Sequence, residues 1–424
     1  MQLVQQLPAG ATADPSFGFR VAVSGDVAIV GANSLDYPNA MNGGAAMVYR
    51  RIEGSWIQDF MAVPDVPGIS QMGDSVAVSV SRAGTHAVVG APIDGDPNAQ
   101  IGAAYFLSWD GSAWTQAKAH ASDPRPQAAF GTTVAMNGDV AAVTASNGGD
   151  AGYSSGAVYV FRWSGTAWVE EQKLIPSDAQ AGDEFGSAVA IDGNTIAIGA
   201  QDDDDASPHA GAAYVFRWNG ASWVEAQKLH PWDASAPGAL FGRAIAIRGD
   251  LLAVSAPNGG QPFAYVFRLV DGAWVPEAKL ESPVAPQGGG FGVSVATDGS
   301  VVLVGTGASA YAFAWNGVYW PEGQPFPEPG GPQAGPSGSA LAVDGDTVIV
   351  NGGESGVGAA YIYSLNCPDP LPGDLNSNGQ VNGSDLGILL GFWGPCSGLC
   401  LGDIDGNGIV NGADLGLLLA NWTG

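Results

Sequence analysis

The chain has 424 residues, 64 of them Gly, and carries 41 Asp and Glu against 14 Lys and Arg, a formal net charge of −27. So acidic a chain lacks the basic clusters that phosphate binding requires, which argues against nucleic acid and anionic membrane as partners. No apolar run reaches membrane-spanning length, and the wealth of Gly with β-branched residues alternating with small ones predicts a mainly β body.

The first stretch, Met1-Gln-Leu-Val-Gln-Gln-Leu-Pro8, has neither the basic start nor the apolar run of an export signal. A repeat follows. It opens at Phe17-Gly18, Met72-Gly73, Phe130-Gly131, Phe185-Gly186, Phe241-Gly242 and Phe291-Gly292, and in degraded form at Ser337-Gly338. The copy from Phe185 predicts four strands: Val-Ala-Ile, Thr-Ile-Ala-Ile, Ala-Tyr-Val-Phe, then Trp-Val-Glu-Ala-Gln-Lys-Leu229. Asp-Gly, Asn-Gly or Ser-Gly turns divide the first two strands and the last two, as hairpins demand. Four antiparallel strands returning every fifty residues or so predict the blades of a β-propeller.

There are seven openings and six complete fourth strands, because the last unit stops at Tyr361-Ile-Tyr-Ser-Leu365. The N-terminal Leu3-Val-Gln-Gln-Leu-Pro8 is similar to Ala226-Gln-Lys-Leu-His-Pro231. It is predicted to supply the missing strand and close the ring, leaving no exposed edge. The expected organisation is a seven-bladed propeller over 1–365, a linker over 366–372 and a small module over 373–424.

The repeats resemble the FG-GAP repeats of bacterial surface proteins, which are related to the integrin α-chain propeller. Integrin-type blades often hold calcium in an Asp-x-Asp-x-Asp-Gly loop. The body has no such loop, so calcium in the propeller is not expected.

Within the body, Arg248-Gly249-Asp250 spells an adhesion tripeptide but falls where every blade has its Gly-Asp turn. The Trp109/Trp114, Trp163/Trp168, Trp218/Trp223 and Trp315/Trp320 pairs suit cross-strand hairpin contacts better than sugar platforms. The long loops join strand two to three or one blade to the next, which places them on one face. Asp36, Asp94, Asp96, Asp150, Asp178, Asp183 and Glu184 should gather there with the solvated run Asp202-Asp203-Asp204-Asp205, making an acidic candidate binding surface. His86, His120, His209 and His230 lie on different blades, and no nucleophile motif is present, so no catalytic residue is assigned.

The tail contains two near-copies of one segment, each followed by a short apolar helix. They place oxygen donors at positions 1, 3, 5, 7, 9 and 12 of a loop with Gly at 6, the EF-hand spacing for a hard cation. The first copy offers Asp374, Asn376, Asn378, the Gln380 carbonyl, Asn382 and Asp385; the second offers Asp403, Asp405, Asn407, the Ile409 carbonyl, Asn411 and Asp414. Two Ca2+ are expected, held more tightly by the second loop, which has more carboxylates. Cys367, Cys396 and Cys400 lack a fourth zinc ligand; a Cys396–Cys400 disulfide is expected, with other pairings open.

This tail resembles a type I dockerin, with Asp at position 12 and no helix before the loop. The resemblance implies two antiparallel helices, a cohesin-like partner and a secreted or cell-surface protein. Gly383-Ser384 and Gly412-Ala413 stand where cellulosomal dockerins usually carry Ser-Thr, so the partner stays open. The functional expectation is a non-catalytic binding or adhesion protein whose propeller face takes a protein or glycan. A polysaccharide-degrading enzyme carried by the same tail, or a structural surface protein with a self-packed tail, are the alternatives.

Overall fold

The structure is a computed structural model. It describes the chain except residues 10–13, 37–40, 67, 96–99, 233–236, 259–261, 284–289, 322, 327–333, 355–356, 366–372, 374, 376–380, 396–401, 403, 405–408 and 423–424. The chain divides into two compact units, one of residues 2–313 with 323–364, the other of 365–424 with 314–322 and Met1.

The larger unit holds seven four-stranded antiparallel sheets. Blade 4 shows the pattern: Phe185–Asp192, Thr195–Ala200, Ala212–Trp218 and Trp223–Leu229, hydrogen-bonded in chain order. Its second strand is almost wholly buried, while its outermost strand alternates buried and exposed residues. A strand covered by blades on both faces reads as a continuous apolar run, and one facing solvent on one side alternates. Blades 1, 2, 3, 5 and 6 repeat this over 20–62, 75–119, 134–174, 245–281 and 294–325.

Blade 7 takes its inner three strands from Ala334–Asp344, Thr347–Glu354 and Val357–Ser364 and its outer strand from Gln2–Gln6. Gln2 pairs with Ser364 and Gln6 with Tyr361, so the N-terminal strand closes the ring as expected. Blade 6 departs from the expected pattern. Its fourth strand is only Gln324–Pro325, because Pro321 and Pro325 have no N–H to donate to a ladder.

In each Phe-Gly opening the Phe packs within its own blade and the Gly works between blades. Phe185 sits edge-on to Tyr214 and Phe216, with ring centroids 5.5 and 6.1 Å apart. Gly73, Gly131, Gly242 and Gly338 each lie against a Gly in the preceding blade's second strand, whereas Gly18, Gly186 and Gly292 meet Asn351, Thr144 and Ser255 there. A Cβ on Gly199 would fall 1.9 Å from the Gly242 carbonyl oxygen, and one on Gly31 2.1 Å from that of Gly73. Only a hydrogen at that position lets neighbouring blades approach so closely.

In the smaller unit, the helices Gly383–Gly391 and Gly412–Ala420 follow the two loops, and Gly394–Pro395 pairs with Ile409–Val410. Val381, Leu389, Val410 and Leu418 are fully buried between them. Among the described residues no helix is long and apolar enough to cross a membrane.

Candidate functional site

The long-loop face is acidic, but much of its acid is spent inward. In blade 4 the Tyr214 hydroxyl lies 2.8 Å from Asp178 and 2.9 Å from Asp203. Lys228, paired across the ladder with Tyr214, reaches Asp178, Asp203 and Asp205 at 2.7, 2.8 and 2.6 Å. Asp203 and Asp205 come from the loop between strands two and three; Asp178 comes from the linker out of blade 3. Each cage therefore joins two blades. In blade 3, Tyr159 and Lys173 hold Asp123 at 2.6 and 2.8 Å, and Lys173 holds Asp150 at 3.1 Å. In blade 2, buried Asp94 accepts from Tyr105 and lies 2.9 Å from Lys118.

Electrostatics agree with that geometry. Burial pushes Asp178 up, but hydrogen bonds from Lys228 and Tyr214 outweigh it, so its pKa lies below the usual carboxylate range. Burial alone would lower Lys228, yet its three carboxylates raise it overall. Burial also raises the Tyr214 hydroxyl strongly, and the Asp203 charge adds to this.

The expected run of solvated Asp is thus corrected in part. Asp203 is buried, whereas Asp204 is exposed. Asp36 is exposed and accepts from the Asn42 N–H, Asp183 is buried, and Asp96 lies outside the described residues. The sequence reading missed the Tyr and Lys of the cage, treating them as ordinary strand residues. The available signal was the constant interval of 50 residues between Lys173 and Asp123 and between Lys228 and Asp178.

The adhesion tripeptide is engaged on both sides: Arg248 lies 3.3 Å from Asp344 and Asp250 2.9 Å from Arg268. The Trp pairs stand across from one another in the hairpins, with centroids 5.6 Å apart for Trp109/Trp114 and 5.7 Å for Trp163/Trp168. His86 is buried against Trp163 and Trp168, and His209 faces Asp202 at 3.0 Å. Among the described residues no three His, Cys, Asp or Glu come together as a metal group.

In the tail, Asp374, Asn376, Asn378, Gln380, Asp403, Asp405, Asn407 and all three Cys lie outside the described residues. Positions 9 and 12 of both loops are described. Asn382 and Asn411 cap their helices by accepting from the Ser384 and Ala413 N–H groups. Asp385 and Asp414 close the reciprocal half of each capping box by accepting from the Asn382 and Asn411 N–H groups at 3.0 and 2.9 Å. Asp414 also accepts from the Ile404 N–H at 2.8 Å, and both carboxylates are fully buried. The halves embrace: a Cβ on Gly373 would fall 2.7 Å from Leu418 Cα, and one on Gly402 3.3 Å from the Leu389 carbonyl oxygen.

Compared with known families, the chain matches a model described as FG-GAP repeat over residues 5–49, 114–161, 168–216 and 223–267. Each matched stretch begins in an outermost strand and ends in the third strand of the next blade, so the sequence repeat is offset from the blade by one strand. The first begins in the N-terminal strand that completes blade 7. No curated protein matches the chain.

Proposed function

We propose, from the premise that this chain is an FG-GAP repeat β-propeller, that it is a non-catalytic binding protein anchored through a calcium-loaded tail. The propeller is an architecture of binding and adhesion. The tail would take two Ca2+ through Asp374, Asn376, Asn378, Gln380, Asn382 and Asp385, and through Asp403, Asp405, Asn407, Ile409, Asn411 and Asp414. The observation that carries this is the pair of fully buried carboxylates, Asp385 and Asp414, in a segment whose sequence from 366 to 424 has no Lys, Arg or His. Burying a carboxylate is costly unless hydrogen bonds or a cation offset it. The capping N–H groups meet part of that cost, and an all-oxygen donor set at this spacing suits calcium.

The loaded tail then presents its helices to a cohesin-like partner, outside or on the surface of the cell. Leu390 and Trp393 of the first half and Leu419 and Trp422 of the second are exposed in matching places, which supplies apolar area for such a contact. The test is calorimetric titration of the chelator-stripped full chain with Ca2+, then with a purified cohesin domain, each repeated for Asp385→Ala/Asp414→Ala. Two Ca2+ per chain, with cohesin binding that needs them, is the expected result. An absence of calcium uptake would refute the proposal.

A further inference from the structure

The axial channel of the propeller is lined by the innermost strand of each blade and opens into a cavity of about 290 Å3. Three charged side chains line it: Arg20 of blade 1, Asp74 at the start of blade 2 and Arg243 at the start of blade 5. Arg20 Nη1 donates to its neighbour's Phe19 carbonyl at 3.0 Å, and Arg243 Nη1 to Gln201 Oε1 at 3.0 Å. Asp74 accepts from Asn33 Nδ2 at 2.8 Å.

Neither arginine has a carboxylate at ion-pair distance among the described residues, in a chain with 41 acidic and 14 basic side chains. At least nine of the other basic side chains do have one. Two guanidinia without an ion-paired carboxylate thus line one cavity, with Asp74 the single carboxylate in its described lining. Enclosure by the channel walls lowers the Arg20 pKa; Asp74 opposes this and Arg243 adds to it. Arg20 is nonetheless exposed, as expected for a side chain on the wall of an open channel.

The rest of the lining narrows the ligand. Ser75, Thr132, Ser187, Ser294 and Ser339 also line the cavity, and no aromatic residue is among its described lining. Their hydroxyls each hold a protein partner, as Ser75 Oγ accepting from the Val134 N–H and Ser294 Oγ donating to the Gly338 carbonyl, and keep a further lone pair for a ligand. Two guanidinia against one carboxylate favour a single negative charge over a dianion, and a guanidinium fork matches a planar carboxylate. The volume falls just below the range of about 300–1,000 Å3 for ligand pockets, which suits one small molecule. We propose that this channel mouth binds a small hydroxycarboxylate of the sugar-acid class, with its carboxylate on Arg20 and Arg243 and its hydroxyls on the Ser and Thr rim. Nothing in this assignment rests on the tail.

The probe is sodium D-glucuronate, titrated calorimetrically into the full chain at low salt, with D-glucose and sodium acetate as comparisons. Glucuronate should bind, acetate more weakly, and glucose not at all. Arg20→Gln and Arg243→Gln should each weaken glucuronate binding at least about tenfold, the usual scale for a charged hydrogen bond. Arg248→Gln, at the other end of the channel, should leave it unchanged. Arg243→Lys keeps the charge but loses the fork, and should fall between wild type and Arg243→Gln. If wild type does not bind about 10 mM glucuronate, a weak-ligand concentration by ordinary affinity arithmetic, or if melting-verified folded Arg243 variants bind it as tightly as wild type, the assignment is wrong.

Discussion

Gln5 and Trp56 clasp one another across the point where the ring closes. Gln5 Nε2 donates to the Trp56 carbonyl at 2.8 Å, and the Trp56 N–H donates to Gln5 Oε1 at 2.9 Å. The strand that completes blade 7 is thereby fastened to the outer strand of blade 1. The same clasp recurs between Gln172 and Trp223 and between Gln227 and Trp274. Gln5→Ala should therefore cost about 1–3 kcal/mol, the scale for leaving two buried backbone groups unpaired, and Gln172→Ala a similar amount. Urea unfolding of the two variants would check this. A much smaller loss at Gln5 would mean that the N-terminal strand is dispensable.

Ala226 marks a gap in a second network. In blade 3 Glu171 binds Arg162 at 2.7 Å and accepts from the Trp223 indole of the next blade at 3.2 Å. Asp59 serves Arg50 and Trp114 likewise, each at 2.8 Å. Blade 4 has Ala226 at this position, and both Arg217 Nε and Trp274 Nε1 are buried without an acceptor among the described residues. Ala226→Glu should supply both, raising stability by about 1 kcal/mol. The gain should vanish in an Ala226→Glu/Trp274→Phe/Arg217→Met background, read by melting temperature.

Gly199→Ala places a methyl carbon where the Gly242 carbonyl oxygen stands, at 1.9 Å. The blades must separate to admit it, so the variant should lose about 2 kcal/mol or more. Chemical denaturation would show whether the Gly-to-Gly contact sets the spacing of the blades.

The cage at Lys228 predicts a distinctive pH response. Asp178, Asp123 and Asp59 have folded pKa values below the usual carboxylate range. Depressed carboxylates stabilise the fold above their unfolded pKa of about 4 and lose this as pH falls through the lower folded value. Stability should thus stay level from about pH 7 to 5 and decline below about 4. Lys228→Met strands buried Asp203 and the half-exposed Asp178 and Asp205 without their cation. It should cost about 1–3 kcal/mol at neutral pH, less than a fully buried pair because two of the carboxylates are screened by solvent. Its stability should then recover in part on mild acidification, the opposite of wild type. A parallel pair of pH profiles would contradict the cage.

The propeller was legible because its periodicity repeats: the Phe-Gly openings, the Gly turns and the echo of Leu3–Pro8 in the fourth strands named both the blades and the closure. The cages were not legible, because a Tyr and a Lys in alternating strands look like ordinary strand residues until the ladder sets Tyr214 opposite Lys228. Blade 1 obscures the pattern further, with Met47 paired to Met61 in those places, an apolar substitute for the charged pair. The shortened outer strand of blade 6 could have been read from Pro321 and Pro325. The channel arginines could not, since Arg20 and Arg243 lie more than two hundred residues apart and converge only when the ring is formed.

The closure also imposes an order of events on biosynthesis. Gln2–Gln6 is made first, yet its partner Val357–Ser364 emerges only after the six intervening blades. Each intervening blade pairs its strands locally and can form as it appears, whereas the first strand must wait with its backbone groups unsatisfied. Joining ends so distant carries a loop-closure entropy that grows only slowly with length, so the delay is kinetic more than thermodynamic. During that interval an unpaired strand at one end and an open three-stranded blade at the other make a matched pair between molecules as well as within one. Crowded refolding should therefore favour strand-exchanged dimers and longer chains over monomers, and dilution should restore the single ring.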